Sequence, residues 1–140
     1  MILYLDTSSL VKLYVTETHS RLVRGWAEEA EILATCRVAY PEMMSALTRR
    51  LKAGDLARKD YDLVAKTFAG QWRHFVVMDF DEIAAGALAQ AYGLRGFDAV
   101  HLSAARLLCC SKDAGELAFS SFDKQLNDAA VAENLTVLSP

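Results

Sequence analysis

The chain has 140 residues, 53% of them hydrophobic and 24% charged, with a formal net charge of −3. That length suits a single domain over 1–140 with a core of its own, and the balance is that of an ordinary soluble globular protein. It excludes a strongly basic coat for nucleic acid, and no apolar run nears the roughly 20 residues of a membrane span.

The elements follow in order. "ILYL" at 2–5 reads as a short buried strand. "MILYL" has no basic leader and stops at Asp6, too short for a signal-peptide core, so a cytoplasmic protein with no membrane association is expected. "SSLVKLYV" and "SRLVRGWAEEA" read as helices and "EILATC" as a strand. "YPEMMSALTRRLKAG" is a helix with Pro41 in its first turn, where a missing N–H costs little, and Gly54 as its stop. "RKDYDLVAKTFAGQWRHF" continues as a helix, "FVVM" as a strand, and "DEIAAGALAQAYG" as a helix ending near Gly93. "FDAVHLSAARLLCC" is a helix with Asp98 at or near its N-cap. "LAFS" is a strand, "DKQLNDAAVAEN" a helix and "LTVL" the last strand. Alternation of this kind implies an α/β fold with a parallel sheet, both faces covered by helices, and right-handed crossovers. Where two helices separate strands, the extra helices are expected to form a lobe over one end of the sheet. Cys36, Cys109 and Cys110 show no zinc spacing and read as small buried hydrophobes.

Ligands of open parallel sheets bind beyond the carboxyl ends of the strands. Asp6 closes the first strand, and Asp123 follows another in "AFSSFDKQL". Glu42 and Asp98 open helices that follow loops. Four acids distant in sequence thus reach one edge. Two carboxylates about 4 Å apart repel by roughly 1 kcal/mol in water and about 4 kcal/mol at an effective dielectric near 20. A cation relieves that repulsion, and oxygen ligands favour Mg²⁺ or Mn²⁺.

Together "YLDTSSLVKLY", "YPEMMSALTRR", "GFDAVHLSAA" and "SSFDKQLNDAAVAENLTVL" resemble the PIN-domain family, specifically the VapC-type toxins of toxin–antitoxin pairs. The resemblance implies a three-layer α/β/α domain with a central, mostly parallel sheet of about 4–5 strands. It implies a Mg²⁺- or Mn²⁺-dependent endoribonuclease that cleaves RNA phosphodiester bonds with metal-activated water and leaves 5′ phosphates. By position Asp6, Glu42, Asp98 and Asp123 match the catalytic, metal-holding acids. Ser8 and Ser121, with Thr7 behind them, are the hydroxyls matched to positioning water or a phosphate oxygen, and Arg95 is the basic residue expected nearest the substrate. The implied partners are RNA, a cognate VapB-like antitoxin and a second copy in a homodimer. Leu10, Leu13, Tyr14 and Val15 are a candidate groove for the antitoxin, with plain core as their other reading.

Other residues divide between bland and sharp readings. His101 is a core histidine or a bond to Asp98, against a metal or base role. Arg49, Arg50, Lys52, Arg58 and Lys59 are a solvated face, against an RNA-gripping rim. Trp26, Trp72, Phe75, Tyr61 and Tyr92 read as core or interface rather than stacking platforms. Two rivals stand beside the nuclease: a non-catalytic metal- or RNA-binding module, and a phosphoacceptor or phosphatase domain. The latter expects paired acids after the first strand, whereas Asp6 stands alone with Ser8 two residues on.

Overall fold

In the computed structural model, which describes residues 1–111 and 115–140, the short apolar runs become strands. The order is β1 (Ile2–Leu5), α1 (Thr7–Tyr14), α2 (Ser20–Glu29), β2 (Ile32–Cys36), α3 (Ala39–Ala53) and α4 (Arg58–Gln71). A 3-10 turn at Trp72–His74 leads to β3 (Val76–Met78), α5 (Glu82–Tyr92), α6 (Gly96–Cys109), β4 (Leu117–Ser120), α7 (Lys124–Ala132) and β5 (Thr136–Leu138). All neighbouring strands pair parallel, in the order β3-β2-β1-β4-β5. The five-stranded α/β/α sandwich is the architecture expected from the sequence.

The two-residue period of a strand divides β1 between two cores. Ile2 and Tyr4 join a cluster with buried residues of α5, α6 and α7. Leu3 and Leu5 join a second cluster with residues of α1, α2, α3 and α4, among them Leu10, Val23, Met43 and Phe68. Each large apolar side chain buried in this way contributes about 1.5–3 kcal/mol. The expected lobe is therefore corrected: the paired helices form the two face layers, because their apolar stripes pack on opposite sides of the sheet. The chain runs outward from β1 to β3, crosses back under α5 and α6, and resumes at β4. The order thus reverses between β1 and β4, where parallel α/β sheets open a crevice.

Helix ends follow local chemistry. Asp6, Asp81 and Asp123 cap α1, α5 and α7 through side-chain bonds to backbone N–H groups. Gly54 ends α3 with φ +80°, a conformation easy only for glycine. Asp98 lies near the N-cap as expected: α6 begins at Gly96, so Asp98 is in its first turn, where the helix dipole favours a carboxylate. The cysteine reading also divides. Cys36 is buried, but Cys109 and Cys110 are exposed, because they lie at the end of α6 beyond its packed stretch. Among the described residues no helix is long and apolar enough to cross a membrane.

Phe68 is fully buried and meets the rings of Tyr14, Tyr40 and Trp72 at centroid distances of 5.3–5.5 Å. Phe68→Ala is expected to lower stability by about 3–5 kcal/mol, read as a drop in the urea midpoint.

Candidate active site

Leu5 pairs with Ser120, and the Asp6 N–H donates to the Ser120 carbonyl at 3.1 Å. The carboxyl ends of the two central strands are thereby held side by side at the reversal point. Asp6 is only 4% exposed. Its Oδ1 accepts the Ser8 hydroxyl at 2.6 Å and the Ser9 N–H at 3.0 Å. Ser8 Oγ in turn accepts the Phe122 N–H at 3.0 Å, and Ser121 Oγ accepts the Asp123 N–H at 3.1 Å. Ser8 thereby ties the loop after β4 to the start of α1, while Ser121 braces that loop. Burial pushes the Asp6 carboxyl above its ordinary value, against the pull of His101, the Ser121 and Ser8 hydroxyls and the Ser9 N–H.

Glu42 reaches the same edge from α3. Its Oε1 accepts the Thr7 hydroxyl at 2.7 Å and His101 Nε2 at 2.8 Å. His101 is 2% exposed. Its Nδ1 meets the Tyr4 hydroxyl at 2.9 Å, and Nε2 also lies 3.2 Å from Thr7 Oγ1. The tautomer that satisfies these partners carries its proton on Nε2, with Tyr4 donating to Nδ1. His101 thus bonds Glu42 rather than Asp98, because its ring points toward β1 and α3. Burial raises the Glu42 carboxyl. The His101 hydrogen bond, the Thr7 hydroxyl and the Arg95 charge outweigh it, and the net value is lowered.

Asp98 and Asp123 are joined by Arg95, whose Nε donates to Asp98 Oδ2 at 2.9 Å and Nη2 to Asp123 Oδ2 at 3.3 Å. Asp123 Oδ1 also accepts the Leu126 N–H at 2.8 Å. The Arg95 side chain is 79% exposed, and its charge is felt at Glu42. Glu42 is thus tied to His101 and to Thr7, the chain neighbour of Asp6, while Asp98 and Asp123 share a guanidinium. Among the described residues no three histidine, cysteine, aspartate or glutamate side chains stand in a group that could hold a metal ion as placed. The donor chemistry nevertheless fits a hard divalent cation. All four acids offer oxygen, a guanidinium already stands between two of them, and among the described residues no hydrogen bond engages Glu42 Oε2 or Asp98 Oδ1.

A cleft of about 650 Å³ opens beside Glu42, Arg95 and Asp98, walled by Arg49 and Phe97. Of the five clustered basic residues only Arg49 faces it. Arg50 pairs with Glu17 at 2.7 Å and Arg58 with Asp62 at 3.3 Å, so these two are held in ion pairs away from the cleft. Sequence reasoning missed Tyr4, which looked like one more strand apolar, and Phe97, the residue before Asp98. It also left His101 without its partners. The groove residues separate too. Leu10 is fully buried, while Leu13 and Tyr14 line a different, apolar cleft of about 550 Å³ with Leu33 and Phe75, sharing no residue with the acids.

The PIN domain family model matches residues 3–132. Ribonuclease VapC45 of Mycobacterium tuberculosis is 32% identical over 139 residues, which cover 97% of this chain and 94% of that protein. The solved structure of M. tuberculosis VapC20, a sarcin-ricin loop cleaving toxin, superposes with a TM-score of 0.64 at 15% identity, covering 99% of each chain. VapBC2 from Rickettsia felis, solved on a DNA fragment from the promoter, gives 0.62 at 14% identity, covering 99% of this chain and 98% of that one. At such identities the structures establish the fold alone.

The two shifted carboxylates predict opposite stability effects in metal-free protein. Because the folded Asp6 value is raised, its cost sets in as pH climbs past the ordinary value of 3.8 and persists above the folded value. Asp6→Asn should therefore raise the denaturation midpoint at pH 7, with the gain vanishing below that ordinary value. The Glu42 value is lowered, so its contribution is present above the ordinary value of 4.5 and lost as pH falls through the folded one. Glu42→Gln should cost about 1–2 kcal/mol at pH 7. Urea titrations at both ends of the range check the pair of signs.

Proposed function

The chain belongs to the PIN domain family, and from that premise we propose that it is a Mg²⁺- or Mn²⁺-dependent endoribonuclease, the toxin of a toxin–antitoxin pair. What supports the reading is that Glu42 bonds Thr7 beside Asp6, while Arg95 joins Asp98 to Asp123 and its charge is felt at Glu42. The name of its ribonuclease relative supports an RNA substrate.

Asp6, Asp98 and Asp123, with Glu42, are the residues that would hold the ion. A bound divalent cation supplies Lewis-acid polarisation of a phosphate and makes a water acidic enough to attack at neutral pH. The protein's own groups do the rest. His101 and Thr7 hold Glu42 ionised and fixed through Oε1, leaving Oε2 to accept a proton at the cleft. Ser8 and the Ser9 N–H orient Asp6 so that its buried charge faces one way. Arg95 neutralises Asp98 and Asp123 before loading and is placed to turn toward a phosphate afterwards.

The apolar cleft at Leu13, Tyr14 and Phe75 suits a helix or extended segment of a cognate antitoxin, which side chains of this kind recognise by apolar anchors. A homodimer acting in the cytoplasm completes the reading.

Purified protein should cut RNA as Mg²⁺ is added and stop with EDTA. Asp6→Asn and Asp98→Asn should each slow cleavage about 100-fold or more, and cleavage at the wild-type rate by either variant refutes the assignment. Arg95→Ala should bind Mn²⁺ about two- to fivefold more tightly by calorimetry, since the ion no longer competes with an exposed guanidinium.

A further inference from the structure

Phe97 lies on the first turn of α6 and is 59% exposed, the one aromatic among the exposed large apolar side chains of the described residues. It stands outside both hydrophobic clusters. On one side it walls the 650 Å³ cleft with Arg95 and Asp98. On the other it walls a second cleft of about 270 Å³ with Thr7, Pro41 and Ser45. Glu42 and Arg49 line both. An aromatic ring standing in water next to a row of carboxylates has no folding role here, since it covers no core.

Arg49 supplies the second half. Glu42, Ser45 and Arg49 share one face of α3, spaced for neighbouring turns. Arg49 lies two turns beyond Glu42, about 10 Å along the axis. It donates to Ser45 Oγ at 2.8 Å and makes no ion pair among the described residues. Its charge is therefore available at the wall of both clefts, which Phe97 and Glu42 also line.

We propose that Phe97 and Arg49 form a nucleotide subsite beside the carboxylates. The base of a nucleotide flanking the cut stacks on the Phe97 ring, and Arg49 pairs with a phosphate other than the one under attack. The inference rests on the ribonuclease reading and narrows it to unpaired RNA. A base in a duplex has both faces covered, while a loop or single strand offers a free face for stacking. The second cleft has room for a base at the lower end of ordinary ligand-site volumes, about 300 Å³.

The test is fluorescence anisotropy of a labelled, mixed-sequence single-stranded 12-mer RNA, with EDTA present so that nothing is cut. Phe97→Leu and Arg49→Ala should each weaken binding about tenfold, and Phe97→Trp should keep it. Arg49→Ala should also lower the salt slope by about one, whereas Phe97→Leu should leave it unchanged. Mn²⁺ binding by calorimetry should be unaltered in Phe97→Leu, which shows that the carboxylate edge is intact. Wild-type RNA affinity in Phe97→Leu overturns the subsite, even if that variant loses self-association or a protein partner. A matching duplex bound as tightly as the single strand overturns it too. In both cases Mg²⁺-dependent cleavage by the wild type leaves the ribonuclease reading standing. A wild type that neither binds nor cuts RNA overturns both.

Discussion

A buried histidine holds the edge of this sheet together. His101 touches Tyr4 from the central strand, Thr7 from the first helix and Glu42 from the third, while itself belonging to the sixth. Three stretches far apart in the chain are thus pinned by one ring. The Tyr4 contact is shielded from water, so losing it leaves a buried polar group unpaired at a cost of about 1–3 kcal/mol. The same geometry keeps Glu42 ionised although it is partly withdrawn from solvent. Removing the imidazole would release Glu42 and leave the Tyr4 hydroxyl buried without a partner.

Topology explains why the acids meet where they do. β1 and β4 are adjacent, yet most of the chain lies between them. The reversal of strand order leaves their carboxyl ends facing one opening, and each is followed directly by a helix capped by an aspartate. Asp6 and Asp123 therefore cap helices at the edge where the proposed site lies. Their charge is tolerated by different means. Asp6 relies on hydroxyls and a backbone N–H in a buried pocket, whereas Asp123 and Asp98 share an exposed guanidinium. The structure places carboxylates at this edge and an exposed guanidinium between two of them.

Much of this was legible in the sequence, for physical reasons. Strands such as "ILYL" and "LAFS" are short, continuously apolar and bounded by polar residues, the pattern that a doubly covered sheet demands. The acids fell at element boundaries, and boundaries define the sheet's edge. What escaped was pairing between distant side chains. Nothing in the spacing of Tyr4 and His101, 97 positions apart, says that they touch. Phe97 escaped because exposure is a tertiary fact: next to a buried alanine run it reads as one more core residue. Asp98 lies near the cap, as its place before the alanine-rich helix suggests, and in the first turn because Gly96 and Phe97 already adopt helical geometry. The paired helices became face layers rather than a lobe because each carries its own apolar stripe, and only the sheet offers enough surface to bury it.

The most direct measurement is anomalous diffraction at the manganese edge from crystals grown with Mn²⁺. The account predicts a peak at the carboxyl end of β1, touching both Asp6 and Asp98, with the Arg95 guanidinium drawn away from Asp98. A manganese-soaked crystal with no ion there, or with those two carboxylates too far apart to share one, contradicts it.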